Sequence, residues 1–80
     1  MTTIQILSPL PGVFYRRSAP GQPPYKEEGA PVAVDDVIGL VELMKSFHEV
    51  KADSAGTVTK FLVDNEEAVV AGQPLAELDG

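Results

Sequence analysis

Cysteine and tryptophan are absent from this chain of 80 residues, and histidine occurs once, as His48. The first absence excludes disulfides and thiolate metal sites, and a lone histidine cannot build a multi-histidine centre. Cations are scarce as well. Six lysines and arginines stand against 12 acidic residues, for a net charge of −6. Nucleic-acid binding draws much of its affinity from cations set against phosphates. Arg16 and Arg17 are the only adjacent basic pair here, with no basic stripe after them, so nucleic acid is not an expected partner. No apolar run nears the roughly 20 residues of a membrane-spanning helix, and no signal-peptide pattern is visible. The expectation is a cytoplasmic protein without a membrane partner. It is read as a single domain, 1–80, with little room for an internal catalytic cleft, since chains this small bury only about 60% of their unfolded surface.

What the chain does contain is short apolar runs broken by Gly and Pro. Ile4-Gln5-Ile6, Gly12-Val13-Phe14-Tyr15, Val32-Ala33-Val34, Val37 to Leu43, Gly56 to Val63, Val69-Val70 and Leu75-Ala76-Glu77-Leu78 all read as strands. Short strands between turn signals predict an all-β sandwich or barrel. Val37, Leu40, Val41 and Met44 fall at helical spacing. Their β-branched neighbours, the central Gly39 and the lack of a cap signal argue for strand instead.

The two halves repeat each other. Ser8-Pro9-Leu10-Pro11-Gly12-Val13 is answered by Ala52-Asp53-Ser54-Ala55-Gly56-Thr57-Val58. Val32-Ala33-Val34-Asp35-Asp36-Val37-Ile38 is answered by Val69-Val70-Ala71-Gly72-Gln73-Pro74-Leu75. The recurring glycines suit positions that need positive φ or close backbone approach. Gly12 precedes Gly56 by 44 positions, whereas Val32 precedes Val69 by 37, so the first half carries about seven extra residues. They fall within the proline-rich stretch 17–25, which reads as a stiff protruding loop, about 18–25, rather than a central strand. A duplicated β unit with quasi-twofold symmetry puts the join between the halves, Leu43-Met44-Lys45-Ser46, at one tip of the molecule.

That join is an awkward hairpin. Two-residue β-hairpin turns favour Asn-Gly because both central positions need positive φ. Met44-Lys45 fits poorly, and such strain often marks function. His48 and Glu49 follow on the outgoing strand, where alternation argues for a solvent-facing or rim histidine over an acid–base partner of Lys45.

Taken together, Glu42-Leu43-Met44-Lys45 in a hairpin, the upstream Ser8-Pro9-Leu10-Pro11-Gly12-Val13-Phe14-Tyr15-Arg16, Ala52-Asp53, Gly56-Thr57-Val58 and the proline-rich insertion resemble the biotin carboxyl carrier proteins of bacterial acetyl-CoA carboxylases. The insertion sits where that family has a protruding thumb. The resemblance implies a flattened barrel of two four-stranded antiparallel sheets, with biotin covalently attached to Lys45 by a biotin protein ligase. It implies a carrier without a catalytic site of its own, bearing carboxybiotin between a biotin carboxylase subunit and a carboxyltransferase subunit. Met44, Ser46 and Glu42 flank the modified lysine, and Glu42 occupies a position that contributes to ligase recognition. The thumb is expected to be ordered and to touch biotin.

Leu43 and Ser46 depart from the family's usual Ala-Met-Lys-Met, which bears on which carboxylase uses the domain. A lipoyl-type carrier is the alternative within this fold, although lipoyl domains usually have aspartate before the lysine and lack the thumb. An unmodified scaffold or regulatory module is the alternative from another class.

Overall fold

The structure is a computed structural model that describes residues 3–80; the first two residues of the expected domain, 1–80, lie outside the described ones. Eight strands follow one another: β1 (Thr3–Leu7), β2 (Gly12–Tyr15), β3 (Pro31–Val32), β4 (Val37–Leu43), β5 (Ser46–Lys51), β6 (Gly56–Phe61), β7 (Glu67–Val69) and β8 (Pro74–Asp79). They form two four-stranded sheets in the orders β1-β8-β6-β3 and β5-β4-β2-β7, with every pairing antiparallel. The all-β flattened sandwich expected from the sequence is what the chain forms.

The duplication is visible bond by bond. Exchanging β1, β2, β3 and β4 with β5, β6, β7 and β8 turns one sheet order into the other. Asp35 N donates to Ala52 O and Gly72 N to Ser8 O, while Ala52 N donates to Asp36 O and Ser8 N to Gln73 O. The Asp36 carboxylate caps Ala33 N just as the Gln73 side chain caps Val70 N. Two glycines mark the close approach of equivalent strands. A Cβ on Gly12 would collide with the Glu42 carbonyl oxygen, and one on Gly56 would lie 2.8 Å from that of Asp79.

The core lies between the sheets, where strand alternation, reset by register shifts at the start of β4 and of β8, aims Phe14, Ile38, Val41, Val58, Leu75 and Leu78 inward and leaves them essentially unexposed. Removing such side chains from water drives folding at about 25 cal/mol per Å² of apolar surface. Three strands end before their apolar runs do. Ala33 and Val34 belong to the turn after β3, where Asp35 takes φ 72°. Val34 is therefore exposed, and the equivalent Val70 lies just past the end of β7 and is exposed as well. In both cases the side-chain cap on the turn stops the ladder. The apolar run from Gly56 likewise leaves the sheet at Phe61.

The extra residues of the first half form a small hairpin. Tyr25 N donates to Arg16 O at 2.9 Å, Arg17 bridges Pro24, and Gln22 N donates to Ala19 O at 3.1 Å. Pro20 and Gly21 (φ 82°) occupy the centre of that last turn, the placement a type II turn favours. Pairing thus begins at Arg16, two residues before the expected start of the thumb. Its base is clamped from two sides. The Arg16 guanidinium lies 4.1 Å over the Phe61 ring and donates to Lys26 O at 3.4 Å, while Lys26 Nζ pairs with Asp36 at 3.1 Å.

Candidate functional site

The β4–β5 hairpin carries the residues singled out by sequence. Leu43 pairs with Ser46, so Met44 and Lys45 alone make the turn. Both take positive φ, 53° and 67°, the geometry of a type I′ turn whose twist matches that of the flanking strands. Met44 is 89% exposed; Lys45 and Ser46 are exposed beside it.

Lys45 also differs from the other lysines in its company. Lys26, Lys51 and Lys60 each sit in an ion pair, with Asp36 (3.1 Å), Glu49 (3.8 Å) and Glu77 (3.7 Å). Among the described residues Lys45 has none. Its amine is free for a reagent to reach, at the most protruding position a hairpin offers. His48 lies exposed on the outgoing strand opposite Val41.

Glu42 faces outward and is already engaged. Alternation sends Phe14 and Val41 to the core and Tyr15 and Glu42 to the outer face of the sheet. There the Tyr15 hydroxyl donates to Glu42 Oε1 at 3.0 Å. Phe47, the cross-strand partner of Glu42, packs against the Tyr15 ring with centroids 5.9 Å apart. The hydrogen bond to Glu42 raises the Tyr15 phenol above the ordinary tyrosine range, with smaller contributions from desolvation and from the charges of Glu42 and Glu66. A raised value means that this contact contributes in full below the ordinary tyrosine range and is lost as pH rises through the raised value. In a Tyr25→Phe background, Glu42→Gln should move the ultraviolet titration of Tyr15 downward. An unmoved titration would contradict the pairing.

A cavity of about 490 Å³ opens between this face and the thumb. Tyr15, Glu42 and Phe47 form one wall and the thumb tip, Ser18 to Gly21, the other; Arg17, Asn65 and Glu66 close it. Asn65 is fixed by accepting from Arg16 N at 2.8 Å, and Glu66 N donates to Phe14 O at 2.7 Å. Glu66 holds φ 66° where its counterpart in the other half is Gly29, at φ 90°. A glycine position filled by glutamate is the one signal in the sequence that pointed here, and only once the repeat is aligned. Arg17 and Glu66 form no ion pair among the described residues. The cavity thus offers carboxylate acceptors, guanidinium and amide donors, and two aromatic rings, one rung from the Met44-Lys45 turn.

Residues 4–78 match the family described as biotin-requiring enzyme. The chain is 36% identical over 74 residues to the biotin carboxyl carrier protein of acetyl-CoA carboxylase from Nostoc sp., covering 92% of this chain and 41% of that protein. It is 41% identical over 70 residues to the protein of the same name from Chlamydia muridarum, covering 88% and 43%. It therefore spans less than half the length of these relatives. The solved urea carboxylase of Kluyveromyces lactis superposes with a TM-score of 0.79 at 26% identity, over 99% of this chain and 6% of that one. A single-chain, multi-domain long-chain acyl-CoA carboxylase superposes with a TM-score of 0.77 at 23% identity, over 94% and 7%, a likeness of fold.

Proposed function

The chain belongs to the biotin-requiring enzyme family, and from that premise we propose that it is a biotin carboxyl carrier domain with biotin joined to Lys45 by a biotin protein ligase. Its place is between a biotin carboxylase and a carboxyltransferase of an acyl-CoA carboxylase, acetyl-CoA being the acceptor that the relatives' names favour. It acts as a carrier without chemistry of its own, in the cytoplasm. The observation that carries the reading is Lys45 itself: exposed, in a strained two-residue turn, and among the described residues free of the ion pairs that the other lysines make.

The residues around the turn fit biotin as its berth. A ureido ring presents two N–H donors and a carbonyl, which the carboxylates of Glu42 and Glu66 and the donors of Arg17 and Asn65 complement. The Tyr15 and Phe47 rings offer apolar faces to the rest of the bicycle, and the thumb tip covers it. A lipoyl dithiolane has no N–H donors to meet those carboxylates. Bound biotin supplies a ureido nitrogen that accepts and surrenders a carboxyl group. The protein's share is positional. Amide formation at Lys45 removes its charge and lengthens the side chain into an arm, while the β4–β5 ladder keeps the base of that arm rigid. Tethering makes each encounter with a partner's site effectively intramolecular, raising local concentration without new contacts. The berth holds the arm between encounters.

Loading is the test. Given ATP and radiolabelled bicarbonate, a biotin carboxylase should place label on the biotinylated chain, and a carboxyltransferase with acetyl-CoA should remove it. A biotinylated chain that takes up no label would overturn the carrier assignment.

A further inference from the structure

We infer that the cavity beneath the thumb discriminates by charge, holding the neutral ureido ring and turning away the same ring once it bears a carboxylate. This rests on the reading that Lys45 carries biotin, and it assigns a sorting role to Glu42, Glu66 and Arg17.

The argument starts from how the cavity's polar groups are occupied. One oxygen of Glu42 accepts from Tyr15, leaving the other for a ligand. Glu66 has no side-chain hydrogen bond or ion pair among the described residues, and its backbone is held by the Phe14 carbonyl and the strained φ of 66°. It cannot turn aside with its backbone. Among the described residues Arg17 is the single cation in the lining, against Glu42 and Glu66, so that lining carries one more negative charge than positive, in a chain of net charge −6.

A neutral ureido ring suits that lining, because both carboxylates can accept its N–H groups and Arg17 can donate to its carbonyl. Carboxylation replaces one N–H with an anion. The donor that a glutamate was accepting from is lost, and a like charge takes its place beside the half-buried Glu42 and the exposed Glu66. Either loss alone weakens binding, and together they favour release of the arm. An unloaded arm thus rests against the domain, and a loaded one swings free toward the next site. Salt weakens the repulsion and so narrows the difference between the two forms.

Amide chemical shifts of the nitrogen-labelled biotinylated chain read the occupancy directly. Biotinylation of Lys45, verified by peptide mass beforehand, tests the carrier reading separately. Compared with the unmodified chain, the biotinylated one should show shifted amides at Ala19, Gly21, Phe47 and Glu66. Adding a catalytic amount of biotin carboxylase with ATP and bicarbonate should return those amides to the unmodified positions, with the docked fraction falling about tenfold. Glu42→Gln/Glu66→Gln should keep them shifted after carboxylation, with Glu66→Gln alone intermediate. Wild-type shifts that are equal before and after carboxylation, or larger after it, would overturn the inference. So would a double variant that releases the arm like the wild type, since exclusion would then be steric.

Discussion

Lys45→Arg should abolish incorporation of biotin while leaving the fold and its stability unchanged. Arginine keeps the charge and can take the same exposed turn position, but its guanidinium cannot become the amide-linked arm. Lys45 makes no ion pair or hydrogen bond among the described residues, so the exchange disturbs no contact. Surface changes of that kind stay within about 0.5 kcal/mol. Expected is loss of labelling to background with an unaltered thermal midpoint. Residual labelling of the variant would mean that another lysine is the acceptor.

The second large effect runs toward stability. Non-glycine residues in the left-handed region cost roughly 1–2 kcal/mol each, and the turn holds two of them in succession, at φ 53° and 67°. Met44→Asn with Lys45→Gly installs the pair that a type I′ turn prefers. Part of the relief is offset by the freer unfolded chain that glycine brings, leaving a net gain of about 1–2 kcal/mol. In a domain of this size that raises the thermal midpoint by about 5–10 °C. A midpoint equal to or below wild type would mean that the turn stores no strain. The expected result says that Met44 and Lys45 hold this turn at a cost in stability.

Much of this is legible in the sequence. Short apolar runs and the glycine and proline breaks between them locate the strands, because a sandwich buries one face of each strand and its tight turns need residues of special backbone geometry. The offset between the two halves located the thumb, since a duplicated fold tolerates insertion only in a loop. Glu42, Met44, Lys45 and Ser46 fall together because they lie within five residues around one turn. The cavity was not legible. Tyr15, Glu42, Phe47 and Glu66 come from four separate stretches, brought together by β2 pairing with both β4 and β7 and by β4 pairing with β5, and no local pattern announces such a meeting. The strands β3 and β7 end earlier than their composition implies for a related reason. Asp36 and Gln73 reach back to cap the turns, so Val34 and Val70 look like strand in composition yet lie beyond the ladder.

The central claim is that Lys45, among the lysines, is the residue that takes biotin. It is tested most directly by presenting the chain with a biotin protein ligase and a lipoate ligase together, each with its cofactor and ATP, and mapping the products by tandem mass spectrometry of peptides. The account predicts one biotinyl group per chain, on Lys45, with Lys26, Lys51 and Lys60 unmodified. Lipoate on Lys45, biotin on any other lysine, or a chain that both enzymes leave untouched would contradict it.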